Sequence, residues 1–157
     1  MIDFNNAIVA DFGKIVFVPK NHSIPALPDM NLIIFKKENE YQAICIDIEI
    51  DAVGDNLKDA CNNLKKVLRL YITQMVYNYN GNINSVVEDI INNAFSHGNI
   101  KSQLFEKYLQ AKHKYLLDKI ANDRKAKSRK DDVINAWHRI FQIEPIRLNL
   151  TLAAGIA

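Results

Sequence analysis

The sequence predicts an α+β domain, with a small antiparallel sheet of three or four strands packed by one long helix, then a helical C-terminal extension and a final strand. Three observations predict it. Residues 44–51 alternate apolar and polar side chains, residues 57–79 repeat apolar side chains at three- and four-residue steps, and residues 146–152 alternate again. With 157 residues, 48% of them hydrophobic, the chain is long enough to bury roughly 68–70% of its unfolded surface in one core. Five Gly and four Pro exclude a collagenous or low-complexity chain.

The first predicted strand is Ile15-Val16-Phe17-Val18, an apolar β-branched run ended by Pro19. Residues 21–31 hold Pro25 and Pro28 and read as a loop. Leu32-Ile33-Ile34-Phe35 and the segment Tyr41–Ile50 form a hairpin around a polar turn at residues 36–40. On the second arm Ile44, Ile46, Ile48 and Ile50 are expected on one face, and Cys45, Asp47, Glu49 and Asp51 on the other. The first face would be core, and the second would meet water or a partner.

Gly54-Asp55-Asn56 breaks the strand, with Asn56 as helix N-cap and Asp59 in the capping-box position. The helix that follows turns Leu57, Ala60, Cys61, Leu64, Val67, Leu68, Tyr71, Ile72, Met75, Val76 and Tyr79 toward the sheet, and Gly81 ends it. A shorter helix spans 85–96 with a Ser85/Glu88 capping box, and a break falls at His97-Gly98-Asn99. A long helix covers 101–125. A basic link at 127–130 leads to a short helix at 131–141, and the strand at 146–152 returns to the edge of the sheet.

Charge is divided along the chain. Residues 1–54 carry four Lys against eight Asp/Glu, whereas residues 55–157 carry sixteen Lys/Arg against ten Asp/Glu. Such polarity suits an acidic partner or a nucleic acid at the basic half. Cys45 and Cys61 have no metal-ligand spacing, and Met1–Asn6 lacks the basic and apolar regions of a signal peptide. No apolar run approaches the roughly 18 residues that cross a bilayer. A cytoplasmic protein, with no membrane partner, is expected.

The stretch Tyr41-Gln42-Ala43-Ile44-Cys45-Ile46-Asp47, then Gly54-Asp55-Asn56-Leu57-Lys58-Asp59-Ala60, then Leu64, resembles HicB-like antitoxin domains. Their pattern is a strand Tyr-x-Ala-x-Cys/Phe-x-Asp, a Gly-Asp-Thr turn, and a helix opening Leu-x-Glu-Ala. Asn56 and Asp59 stand here for the Thr and Glu, and both still supply oxygens to free N–H groups at the helix start. The resemblance covers residues 32–72. It implies a partial ribonuclease-H-like fold in a unit over residues 1–80, with residues 81–157 a helical extension packed on it as one domain. It also implies a non-enzymatic antitoxin of a toxin–antitoxin type system, or a relative of one, whose partner is a small basic toxin acting on RNA.

Asp47, Glu49 and Asp51 are the candidate partner-binding residues. As three carboxylates on one strand face they are also weak candidates for a metal-dependent nuclease, although an exposed sheet face needs polar residues in any case. Lys112, Lys119, Arg124 and Lys125 on the basic helix are the candidate nucleic-acid ligands, interleaved with Phe105, Tyr108, Tyr115 and Leu116. The simpler reading has the aromatics in the core and the lysines reaching past them to water. His97 reads as a loop residue at a helix end, and Ser96-His97 lacks an elbow motif. His113, like His97, invites a catalytic reading that no motif supports, His22 and His138 suggest no partner, and Cys61 reads as a core hydrophobe. No phosphate loop or dinucleotide fingerprint occurs, so no cofactor is expected. If residues 146–152 pair between chains the protein is a homodimer, and if they close their own sheet the segment is structural.

Overall fold

A computed structural model describes residues 6–19, 27–126 and 148–154, with side chains over 6–18 and 27–123. The α+β class is as expected. Strands β1 (Ile8–Pro19), β2 (Met30–Lys36), β3 (Tyr41–Cys45) and β4 (Ile50–Gly54) form an antiparallel sheet. Helices α1 (Leu57–Asn78), α2 (Ile83–Phe95) and α3 (Asn99–Ala126) follow, and β5 (Leu148–Ala154) returns to the sheet. The strand order is β4-β3-β2-β1-β5. The final strand therefore lies at the sheet edge within its own chain. It runs parallel to β1, from Gly13 opposite Leu148 to Pro19 opposite Ala154. The expected link at 127–130 and helix at 131–141, together with residues 21–26 of the proline loop, lie outside the described residues.

β1 is longer than the run of residues 15–18 that announced it. Ala10, Asp11, Gly13 and Lys14 interrupt its apolar pattern, and a bulge between Val9 and Asp11 shifts its register. Lys37 N–H donates to Glu40 C=O at 2.8 Å and closes the β2–β3 turn.

The arm expected to run unbroken from Tyr41 to Ile50 is two strands. Residues 46–49 form a tight turn in which Glu49 adopts φ 55°, the left-handed region. Ile46 N–H donates to Asn31 C=O (2.9 Å), and Glu49 N–H donates to Ile46 C=O (3.3 Å). The turn resets the alternation. Ile44 and Ile46 face one side of the sheet, while Ile48 and Ile50 face the other.

Both sheet faces are buried, which corrects the expectation of one open face. On one, Ile15, Phe17, Met30, Leu32, Ile34, Ala43 and Cys45 meet Ala60, Cys61, Leu64, Leu68 and Ile72 of α1, with Val86 and Ile90 of α2. On the other, Phe12, Ile33, Phe35, Ile44 and Ile46 meet Leu104 and Tyr108 of α3. Four consecutive apolar residues of β2, Leu32–Phe35, are fully buried, as a strand covered on two sides requires. Each contributes about 2 kcal/mol by leaving water.

α1 starts as its sequence indicates. The Asn56 side-chain oxygen accepts Asp59 N–H at 2.8 Å, and its amide donates to the Asp59 carboxylate at 2.9 Å. Val67, expected in the buried stripe, is exposed, and so is Tyr79. Gly81 takes φ +78° at the helix end. α2 begins two residues before the expected start. Asn82 is its cap and accepts Ser85 N–H, so Ser85 receives the capping bond in place of supplying one.

Candidate functional site

Asp47, Glu49 and Asp51 do not share a strand face, because the 46–49 turn separates them. Asp47 turns toward the start of β2, where its carboxylate accepts Asn31 N–H at 2.5 Å and lies 3.5 Å from the Asn31 amide. Burial pushes its pKa above the usual carboxylate range, and the Asn31 N–H and the Lys101 charge pull in the opposite direction. Glu49 is exposed in the turn. Asp51, exposed on β4, accepts the Gln42 amide at 2.8 Å. That bond orients Gln42, whose side-chain oxygen is buried without a partner among the described residues. Among the described residues no group of three or more His, Cys, Asp and Glu side chains is placed to hold a metal ion.

Around Asp47 the fold builds a cleft of about 360 Å³ between the start of β2, the 46–49 turn and the α2–α3 loop. Met30, Phe95 and Phe105 supply apolar wall, while Asp47, His97 and Lys101 supply polar groups. Lys101 is only 4% exposed. Its ammonium donates to Asn93 C=O (2.8 Å), Ser96 C=O (3.1 Å) and Ser96 Oγ (3.3 Å), which satisfies the carbonyl end of α2 from the first turn of α3. Sequence reasoning missed this residue. The available signal was a lysine in the first turn of a helix, where the helix dipole disfavours a cation, immediately after another helix whose end favours one.

Ser96 Oγ donates to Asn93 C=O at 2.7 Å. His97 is exposed at the cleft rim, and His113 is exposed on α3. His22 and His138 lie outside the described residues. Cys45 is buried beside Met30, and burial, reinforced by the Asp47 charge, pushes its thiol up to about 12. Cys61 is a core residue, as its place on the stripe indicates.

On α3 the aromatics belong to the core. Tyr108 and Tyr115 meet Phe12 edge to face, with ring centroids 5.6 and 6.0 Å apart. Phe105 packs against the same cluster, and Leu116 is half-buried. Lys112 and Lys119 are half-buried at the helix flank. Lys112 is pulled below the usual lysine pKa, first by burial and then by the charge of Lys14 on β1. Arg124 and Lys125 fall in the last turn of α3, and their side chains lie outside the described set.

A separate surface is the free side of β4, the edge strand opposite β5. β4 pairs with β3 alone among the described strands. Asp51 and Val53 lie opposite Ile44 and Gln42, on the α3 side of the sheet, yet α3 packs on β1 and β2 and leaves Val53 46% exposed. Glu49 and Asp55 are exposed at the two ends of the strand. Asn63 of α1 donates to Val53 C=O at 2.8 Å.

Among the described residues no helix is long and apolar enough to cross a membrane. Compared with protein-family models, curated proteins and solved structures, the chain matches none.

Proposed function

We propose that this chain is a non-enzymatic, HicB-like interaction module, an antitoxin or a relative of one, that binds a small basic protein partner at the β4 edge. The observation that carries the reading is the edge itself. β4 has no strand on its outer side among the described residues, exposes Val53 and Asp51, and is flanked by Glu49 and Asp55. A strand edge with no neighbouring strand is a template for β-addition, here beside the Val53 carbonyl that Asn63 already occupies, and a row of carboxylates favours a cationic partner strand. In this reading Asp51 and Glu49 contact the partner, whereas Asp47 acts inside the protein. The partial ribonuclease-H-like unit would be the sheet with α1 across it.

A photo-crosslinking residue at position 53, used in the native host, should capture one basic protein. Its affinity for the purified chain should fall at least tenfold in Val53→Lys and in Asp51→Lys. A crosslink to no single protein, or an affinity that ignores both substitutions, would refute the reading.

The second reading, nucleic-acid binding at the basic helix, rests on the base along α3, where Lys112 and Lys119 lie at the helix flank. The quadruple change of Lys112, Lys119, Arg124 and Lys125 to Glu should then abolish a salt-sensitive RNA or DNA gel shift, and an unaffected shift discards the idea.

A further inference from the structure

We propose that the cleft beside Asp47 binds a small organic cation, a primary ammonium or guanidinium carried on an alkyl or aryl body. Its volume of about 360 Å³ lies in the lower part of the range of small-molecule pockets, roughly 300–1,000 Å³. Its walls are mainly apolar, with Phe95 and Phe105 offering an aromatic surface to a hydrocarbon body.

The polar chemistry sets the charge of the ligand. Among the described residues Asp47 is a half-buried carboxylate whose hydrogen bonds come from neutral donors, the Asn31 N–H and amide and its own backbone N–H. Two carboxylate oxygens offer about four acceptor positions, so the group keeps acceptor capacity beyond these bonds. A carboxylate withdrawn from water without a paired cation is costly, and a charge-assisted hydrogen bond from a ligand removes that cost. Lys101, on the same wall, eases the ionisation of Asp47 through its charge, but its ammonium donates to three neutral oxygens at the end of α2 and leaves the Asp47 carboxylate open to a direct charge-assisted bond from a ligand. Asp29, exposed at the mouth, adds a second negative charge to the approach. The site is independent of the β4 edge and does not depend on the partner reading.

Phenethylammonium is a suitable probe, with phenylacetate as the anion of similar shape, each titrated into the full chain and followed by amide NMR. Phenethylammonium should bind saturably and at least tenfold more tightly than phenylacetate, with the largest shifts in the 46–49 turn and residues 95–105. Asp47→Asn should weaken it at least tenfold while keeping the fold, since an Asn oxygen still accepts Asn31 N–H. Phe95→Ala, at a side chain 71% exposed, should weaken it severalfold without touching stability. Equal affinity for the two probes, no saturation by about 20 mM, or binding indifferent to both substitutions would overturn the proposal.

Discussion

At Asp47 the fold carries an electrostatic cost with a definite pH signature. Burial raises the folded-state pKa above the ordinary 3.8, so the ionised form is less favoured in the folded chain than in the unfolded one. Stability should therefore rise as pH falls from neutral through the raised pKa and level off below about 3.8. Cys45 and Tyr108, both raised by burial and by Asp47 itself, stay protonated throughout that window. In Asp47→Asn this component should vanish, which denaturant midpoints at pH 7 and pH 4 for both proteins will show. Gly54 makes a second single-residue prediction. A Cβ there would strike Ala60 N and lie 2.6 Å from Asp59 C and 2.8 Å from Ala60 Cα, where α1 crosses the end of β4. Gly54→Ala, often stabilising by 0.4–1 kcal/mol elsewhere, should here cost about 3 kcal/mol in urea unfolding. The Asn56–Asp59 cap was legible because its partners are three residues apart. The separation of Asp47, Glu49 and Asp51 was not, because it rests on a left-handed Glu49 that neither Gly nor Asn announces.

Among the elements, α1 was the most legible, because one apolar stripe repeated over six turns leaves little freedom in where it points. α3 was legible as a helix with its aromatics in the core, but not in which surface it covers. Its aromatics, Tyr108 and Tyr115, are the lid of a second core, and period alone does not say which surface a helix covers. β1 was legible only at its apolar end. The α2–α3 break at residues 97–99 was legible, but what ties it was not, because a lysine eight residues along the chain supplies the ligand for Asn93 C=O. Lys101→Met should leave the carbonyls of Asn93 and Ser96 without that donor and cost about 2–3 kcal/mol. Thermal unfolding together with hydrogen exchange at the end of α2 measures it. A loss spread evenly over the chain, or none, would contradict the local role.

For the molecule as a whole, the decisive fact is that the sheet is covered on both sides. A fragment of residues 1–80 would lack α3 and uncover Phe12, Ile33, Phe35, Ile44 and Ile46. Five such side chains represent about 10 kcal/mol, comparable to the 5–15 kcal/mol stability of an ordinary domain. The fragment should therefore bind a hydrophobic dye and unfold without a cooperative transition. A sharp calorimetric peak from monomeric 1–80 would contradict this. The acidic first half and basic second half visible in the sequence thus belong to one sheet and the helices that close it.

The parallel pairing of β1 with β5 has a mechanical consequence. Seven positions of β5 are matched to β1, from Gly13 with Leu148 to Pro19 with Ala154. Tension applied between residues 8 and 154 would act along these strands, loading the rungs together in shear instead of peeling them one at a time. Forced unfolding follows the height of the unfolding barrier. Pulled from those two points, the protein should resist at higher force than when pulled across the β3–β4 hairpin, where the rungs open in succession.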